Sequence, residues 1–189
     1  MGSGGNLSAR APDADECWVT AAGTWLDRLD RGSFVRIRII DGAALDNTSG
    51  AAPSSELALH LATYRARPDV NAIVHLHPQS VLLLDAVGEP IRLATTDHAF
   101  YLRRIVTTPF VPPGRPELGA LAADACADGA NCVVLARHGC SVVADTVELA
   151  HKRALYLEEA ARLTYRALLL GRPVEPLPTD WLSTPGATA

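Results

Sequence analysis

Two histidines one residue apart, His75 and His77, lie in the run Asp69-Val-Asn-Ala-Ile-Val-His-Leu-His-Pro78. A third, His138, follows in Arg137-His138-Gly139. Side chains alternate faces along a strand, so His75 and His77 project the same way, close enough to grip one ion. A third imidazole from elsewhere would complete three protein ligands with an open position, the arrangement that catalytic zinc uses. Two imidazoles side by side in a core also leave donors and acceptors in need of partners, which a metal supplies. The same pattern occurs on unrelated folds, so it specifies zinc-like chemistry without specifying a reaction.

Other groups could serve that chemistry. Glu56 reads either as a first-turn glutamate favourable to a helix dipole or as an acid/base. Ser54 and Ser55 are either helix caps or two hydroxyls at a helix N-terminus that receives an anion such as phosphate. Gly5-Asn6-Leu7-Ser8 could add backbone and amide donors to the same anion. The only lysine, Lys152, falls in a helical stretch far in sequence from the histidine pair. Schiff-base activation of a carbonyl needs an active-site lysine, so carbonyl chemistry here would run through a metal. Cys17, Cys126, Cys132 and Cys140 show no C-x-x-C spacing and read as buried free thiols.

The positioning elements follow from periodicity and punctuation. Glu16–Thr20 and Ser33–Ile40 read as strands, the second alternating Val35, Ile37 and Ile39 with Arg36 and Arg38. Asp46–Gly50 is turn chemistry. Pro53-Ser-Ser-Glu56 opens a helix carrying Leu57, Leu59, His60, Leu61 and Tyr64, which Pro68 ends. Residues Ala72–Leu76 form a buried strand that Pro78 stops. Gln79–Val87 reads as helix and Ala94–Thr108 as loop and then strand from Arg104. Pro109–Pro116 is a connector, Glu117–Ala127 a helix, and Asn131–Ala136 and Ser141–Ala144 strands. Gly139 offers positive φ for the turn after His138. Thr146–Leu170 is the longest helix, with Gly171 as its C-cap. Strands and helices mix without strict βαβ alternation, which favours one α/β or α+β domain.

The 189 residues suffice for one core without disulfides, and 48% hydrophobic with 20% charged residues is an ordinary globular balance. A net charge of −4 argues against nucleic acid as the main partner. No apolar run approaches the ~20 residues that span a bilayer. Met1–Gly5 lacks the basic and apolar regions of a signal peptide, and a cytoplasmic location is expected.

Four ordered motifs are specific as a set: Gly5-Asn6-Leu7-Ser8-Ala9-Arg10, Pro53-Ser54-Ser55-Glu56, Ala72-Ile-Val-His-Leu-His77 and His138-Gly139. In this order and spacing the chain resembles the class II aldolase/adducin family, from residue 4 to about 171. The resemblance implies an α/β/α sandwich around a largely antiparallel sheet over residues 1–172, a tail over 173–189, and a homotetramer with sites at subunit interfaces. It implies a zinc ion, or another divalent transition metal, on His75, His77 and His138. Glu56 would be the acid/base, its pKa raised in a water-poor pocket, while Asn6, Gly23, Ser54 and Ser55 would bind a substrate phosphate.

The reaction so implied is retro-aldol cleavage of a small sugar phosphate or related hydroxy-carbonyl compound, through an enediolate whose charge sits on metal-bound oxygens. Epimerases, decarboxylases and dehydratases of the same family, and metal-free adducin-type binding domains, are the alternatives. Three departures from the family pattern stand out. The family usually has a helix before the Gly-Asn motif, whereas this sequence opens at the motif, so that helix is expected to be missing. Thr20-Ala21-Ala22-Gly23 lacks a hydroxyl usual in family aldolases. No tyrosine aligns with the one a neighbouring subunit contributes as second acid/base; Tyr101 or His98 is the candidate substitute.

Overall fold

Short apolar strands separated by turn residues assemble into one sheet. The structure, a computed structural model, describes residues 4–46 and 50–183. Its strands are β1 (Asn6–Ala9), β2 (Glu16–Thr20), β3 (Phe34–Arg38), β4 (Ala44–Asp46), β5 (Ala72–Leu76), β6 (Ile105–Thr108), β7 (Cys132–Leu135) and β8 (Gly139–Ala144). Its helices are α1 (Leu57–Ala66), α2 (Gln79–Val87), α3 (Thr96–Leu102), α4 (Pro116–Cys126) and α5 (Val147–Leu169). The eight strands run in the order β4-β3-β2-β1-β5-β8-β7-β6. Every pairing is antiparallel except β6 with β7.

Each face of this sheet is apolar and needs cover. On one side α1 and α4 bring Leu59, Leu61, Tyr64, Leu118 and Cys126 onto Val19, Val35, Ile37 and Ile73. On the other, α2, α3 and α5 bring Val81, Leu84, Leu102, Leu157 and Ala161 onto Val74, Val134, Cys140 and Val142. The result is the expected α/β/α sandwich. Within β5, Ile73 and His75 therefore face the α1/α4 side, and Ala72 and Val74 face α5.

Several local expectations shift. Asn6–Ala9, not read as an element, is a strand because it pairs with β2 and β5. Thr96–Leu102 is a helix where loop was expected. One short turn of periodicity is a weak signal, and a capping bond from His98 N–H to Thr95 Oγ1 at 3.2 Å starts it. The long strand expected over Ser33–Ile40 is β3 alone, since Ser33 ends a 3-10 turn and Ile39 enters a turn closed by Gly42 N–H on the Arg38 carbonyl. Pro116 belongs to α4, at its first position, where a missing N–H costs nothing. The turn expected over Asp46–Gly50 falls largely on residues 47–49, outside the described residues.

The four cysteines are buried free thiols, as expected. Among the described residues no helix is long and apolar enough to cross a membrane. Beyond α5, Gly171 takes φ 66° as the helix stop, and Leu177 N–H donates to the Leu93 carbonyl at 2.8 Å.

The α1–α4 contact is close because Gly119 permits it. A Cβ there would lie 2.7 Å from the Ala58 carbonyl oxygen and 2.8 Å from its carbon. In an exposed helix Gly→Ala gains up to about 1 kcal/mol. Here backbone would have to move, and overpacking of this kind costs about 1–3 kcal/mol. Gly119→Ala is expected to lower Tm by roughly 5 °C, read by thermal denaturation; an unchanged or raised Tm would contradict the packing.

Candidate metal centre

The β5 strand carries His75 at its penultimate position and delivers His77 just past its end. Asn6 of β1 lies opposite His75 on one side and Ser141 of β8 on the other. Directly after His77, α2 begins with its first N–H groups held by one carboxylate from α5. Ser80 N–H lies 3.1 and 3.0 Å from the two Glu158 oxygens, Val81 N–H donates at 3.2 Å, and the Ser80 hydroxyl at 2.8 Å. This borrowed cap satisfies donors that a helix N-terminus leaves open. It also pins the segment leaving His77.

His138 arrives from the turn between β7 and β8. That turn does not use positive φ at Gly139 as expected. Arg137 takes it, with φ 59°, while its N–H donates to Asp85 Oδ2 at 2.6 Å and His138 N–H to the Leu135 carbonyl at 3.0 Å. Gly139 is required for another reason. A Cβ there would press on the Leu76 carbonyl and lie 2.6 Å from His77 Cδ2 and 3.2 Å from His75 Cε1. The absent side chain is what lets His138 close on the histidine pair.

Glu56 completes the group from the start of α1. It sits at the helix N-cap, and its own N–H donates to Ser54 Oγ at 3.3 Å. Its carboxylate Oε2 is 2.9 Å from His75 Nε2, and Oε1 is 3.1 Å from His138 Nε2. His75 Nε2 is also 3.1 Å from His77 Nε2. One ligand atom from each of Glu56, His75, His77 and His138 lies within 4.8 Å of the others. So many nitrogen and oxygen atoms gathered in one largely buried space could hold a metal ion. Three imidazoles and a carboxylate suit a divalent transition metal.

The electrostatics differ from expectation for Glu56. Burial alone would raise its pKa. Hydrogen bonds from His138 and His75, the charge of His75 and the Asn6 amide outweigh burial and hold it below the usual carboxylate range. Glu56 is thus held in its ionised form by its neighbours. His77 is pushed down to about 4 by burial and then by its neighbours His75 and His138. Buried His60 is pushed down to about 3, mainly by desolvation.

The cluster opens into a cavity of about 490 Å³ whose lining includes Asn6, Gly23, Ser54, Ser55, His77 and His138. All four residues expected to receive a phosphate thus border one space with the metal-binding group. Ala22 lines it too, so the missing hydroxyl faces the cavity. Tyr101 and His98 lie elsewhere, on α3. The Tyr101 hydroxyl accepts from Lys152 Nζ at 2.7 Å and its ring stacks on Tyr156. His98 is buried against the same tyrosine. Two contributors escaped the sequence reading: His60, which touches Asn6, and Glu158, whose capping role joins elements 78 residues apart.

The chain is similar to known proteins in sequence and in fold. The profile of the class II aldolase and adducin N-terminal domain covers residues 1–165. An L-fuculose phosphate aldolase of Methanocaldococcus jannaschii is 29% identical over 170 residues, 90% of this chain and 88% of that protein. A 3-oxo-tetronate 4-phosphate decarboxylase of Escherichia coli K12 is 32% identical over 178 residues, 92% of this chain and 80% of the relative. A solved L-fuculose 1-phosphate aldolase superposes with TM-score 0.83 at 27% identity, over 95% of this chain and 82% of the other.

Two outcomes follow. Gly139→Ala is expected to weaken metal binding at least tenfold in a competition titration, and wild-type affinity would contradict the close approach. Separately, His60 and His77 titrate lower when folded than the ~6.5 of an unfolded histidine, so the unfolded chain binds more protons on acidification. Metal-free protein should therefore lose stability progressively as pH falls from about 6.5 towards 3. Urea midpoints that stay flat from pH 7 to pH 4 would contradict this.

Proposed function

Because the chain belongs to the class II aldolase and adducin family and is an aldolase-type lyase, we propose that it is a zinc-dependent enzyme performing retro-aldol cleavage of a small sugar phosphate. The observation that carries this reading is the group of three histidines and one glutamate at the wall of a cavity with two serine hydroxyls. Bound at Glu56, His75, His77 and His138, a divalent zinc ion would supply Lewis acidity towards a substrate carbonyl and a neighbouring hydroxyl.

The chain's own groups do the rest. Ser54, Ser55, Asn6 and the backbone at Gly23 hold the substrate's phosphate in the cavity without a cationic side chain, which fits binding by neutral donors and a helix start. Its position sets which carbon faces Glu56. In the cleavage direction the Glu56 carboxylate takes the proton of the hydroxyl on the departing carbon as the C–C bond breaks. That carbon leaves as the aldehyde, and Glu56 returns the proton to the carbon that keeps the electron pair. In the synthetic direction the Glu56 carboxylate removes that proton.

Decarboxylation of an oxo-acid phosphate is the second reading, favoured by the 32% identity to the 3-oxo-tetronate 4-phosphate decarboxylase. It uses the same groups, with carbon dioxide departing in place of the aldehyde. A homotetramer is also proposed. Its support is an open groove of about 1210 Å³ between α2 and α5, which shares His77 with the cavity and is edged by exposed Leu155 and Leu170.

A screen of ketose phosphates, free ketoses and oxo-acid phosphates, each with and without chelator, tests the reaction class. Cleavage of phosphorylated ketoses only, abolished by chelation and restored by zinc, is expected. Carbon dioxide release from the oxo-acid phosphate alone would transfer the assignment to decarboxylase, and activity indifferent to thorough chelation would overturn the metal mechanism. Glu56→Gln should lower turnover at least 100-fold while a neutral amide still leaves three imidazoles to hold zinc. Full turnover in that variant would remove Glu56 as proton carrier.

A further inference from the structure

Behind Glu56 runs a line of buried polar groups that the reaction does not consume. On α1, Glu56, His60 and Tyr64 recur every fourth residue and share one helix face. On β1, Asn6, Ser8 and Arg10 recur every second residue and share one strand face. Four helical residues advance about 6.0 Å and two strand residues about 6.6 Å, so the two rows stay in step. They interlock. Asn6 Nδ2 donates to Glu56 Oε2 at 2.9 Å, and Asn6 Oδ1 meets His60 Nε2 at 2.5 Å. His60 Nδ1 meets Ser8 Oγ at 2.7 Å, Ser8 Oγ meets the Tyr64 hydroxyl at 2.8 Å, and Arg10 lies over the Tyr64 ring.

The protons in this line can be assigned. An ionised carboxylate only accepts, so the Asn6 face turned to Glu56 must be its NH2. The Asn6 carbonyl then points at His60, so His60 Nε2 carries hydrogen. His60 has no exposed surface and no acidic partner, so it is neutral and Nδ1 is a bare acceptor. Ser8 must give its proton to Nδ1, which leaves its oxygen to accept from Tyr64. All four bonds run one way, from Tyr64 towards Glu56, and such chains polarise cooperatively.

We propose that Ser8, His60 and Tyr64 are positioning residues, a one-way hydrogen-bond chain that fixes the Asn6 amide on Glu56 and so aims the carboxylate between the metal-binding histidines and the reacting carbon. The chain deepens the proposed function, resting on Glu56 as proton carrier for its catalytic consequence but not for its existence. It also gives Asn6 a second duty. Its amide donates to Glu56, and the same residue lines the cavity.

The test has two arms on the full-length, zinc-loaded protein. In 15N NMR, His60 is expected in the Nε2–H form with an unprotonated Nδ1, and Ser8→Ala should shift the Nδ1 resonance while Ser8→Thr keeps it. A Nδ1–H tautomer, or a Nδ1 signal indifferent to Ser8→Ala, overturns the chain whatever Glu56 does. In kinetics, with a ketose phosphate turned over in the screen above, Ser8→Ala should lower kcat about tenfold with KM and zinc content unchanged, and Ser8→Thr should recover most of the loss. A loss confined to KM, or unchanged kcat, overturns the positioning role. If the NMR signature holds but Glu56→Gln keeps full turnover, the proton-carrier reading has failed and the hydrogen-bond chain has not. Tyr64→Phe guards against a folding failure at Ser8. It removes only the last hydroxyl, and a smaller kcat loss of the same kind is expected.

Discussion

Holding three imidazoles and a carboxylate within 4.8 Å of one another, mostly out of water, is the constraint on which the surrounding structure depends. Left to themselves these groups would stay in water, because each lost hydrogen bond to water costs free energy. Only a framework that resists relaxation keeps them facing. The sheet supplies it. His75 lies between β1 and β8 in the middle of the strand order, and the ladder on both sides fixes its backbone.

The remaining devices are local answers to that constraint. Glu158 reaches from α5 to cap α2 and secures the exit from His77. Arg137 accepts a left-handed backbone so that His138 can turn inward, and Gly139 gives up its side chain so that the turn can come close. Glu56 stands at the mouth of α1, where the helix dipole favours its charge. From β1, Asn6 anchors the same carboxylate. A cation bound there would give these lone pairs one common partner. The protein's investment in holding its ligands apart from water is then returned as tight binding.

Much of this was legible in the sequence because it depends on short-range rules. Strand alternation places His75 and His77 together, and the ordered motifs lead to Glu56, to His138 and to the sandwich fold. What escaped was set by contacts between distant segments. β1 is too short to announce itself and exists because β2 and β5 flank it. α3 is about two capped turns, below the length at which periodicity speaks. Gly139 was correctly marked as special but for the wrong physics: the turn's strain fell on Arg137, and the glycine answers a steric need that only the fold reveals. For Glu56, burial was expected to raise the pKa, but its hydrogen-bonding neighbours reverse the sign. The matching rows Glu56/His60/Tyr64 and Asn6/Ser8/Arg10 stand in the sequence in plain view. Their meaning depends on β1 lying under α1, which no local pattern states.

The central claim is that His75, His77, His138 and Glu56 together hold one divalent ion. X-ray absorption at the zinc edge of the reconstituted protein tests it most directly, since it reads ligand type and distance without reference to any reaction. Three imidazole nitrogens and at least one oxygen, all near 2.0–2.1 Å, are expected. A sulfur shell near 2.3 Å, or a spectrum without imidazole scattering, would contradict the site.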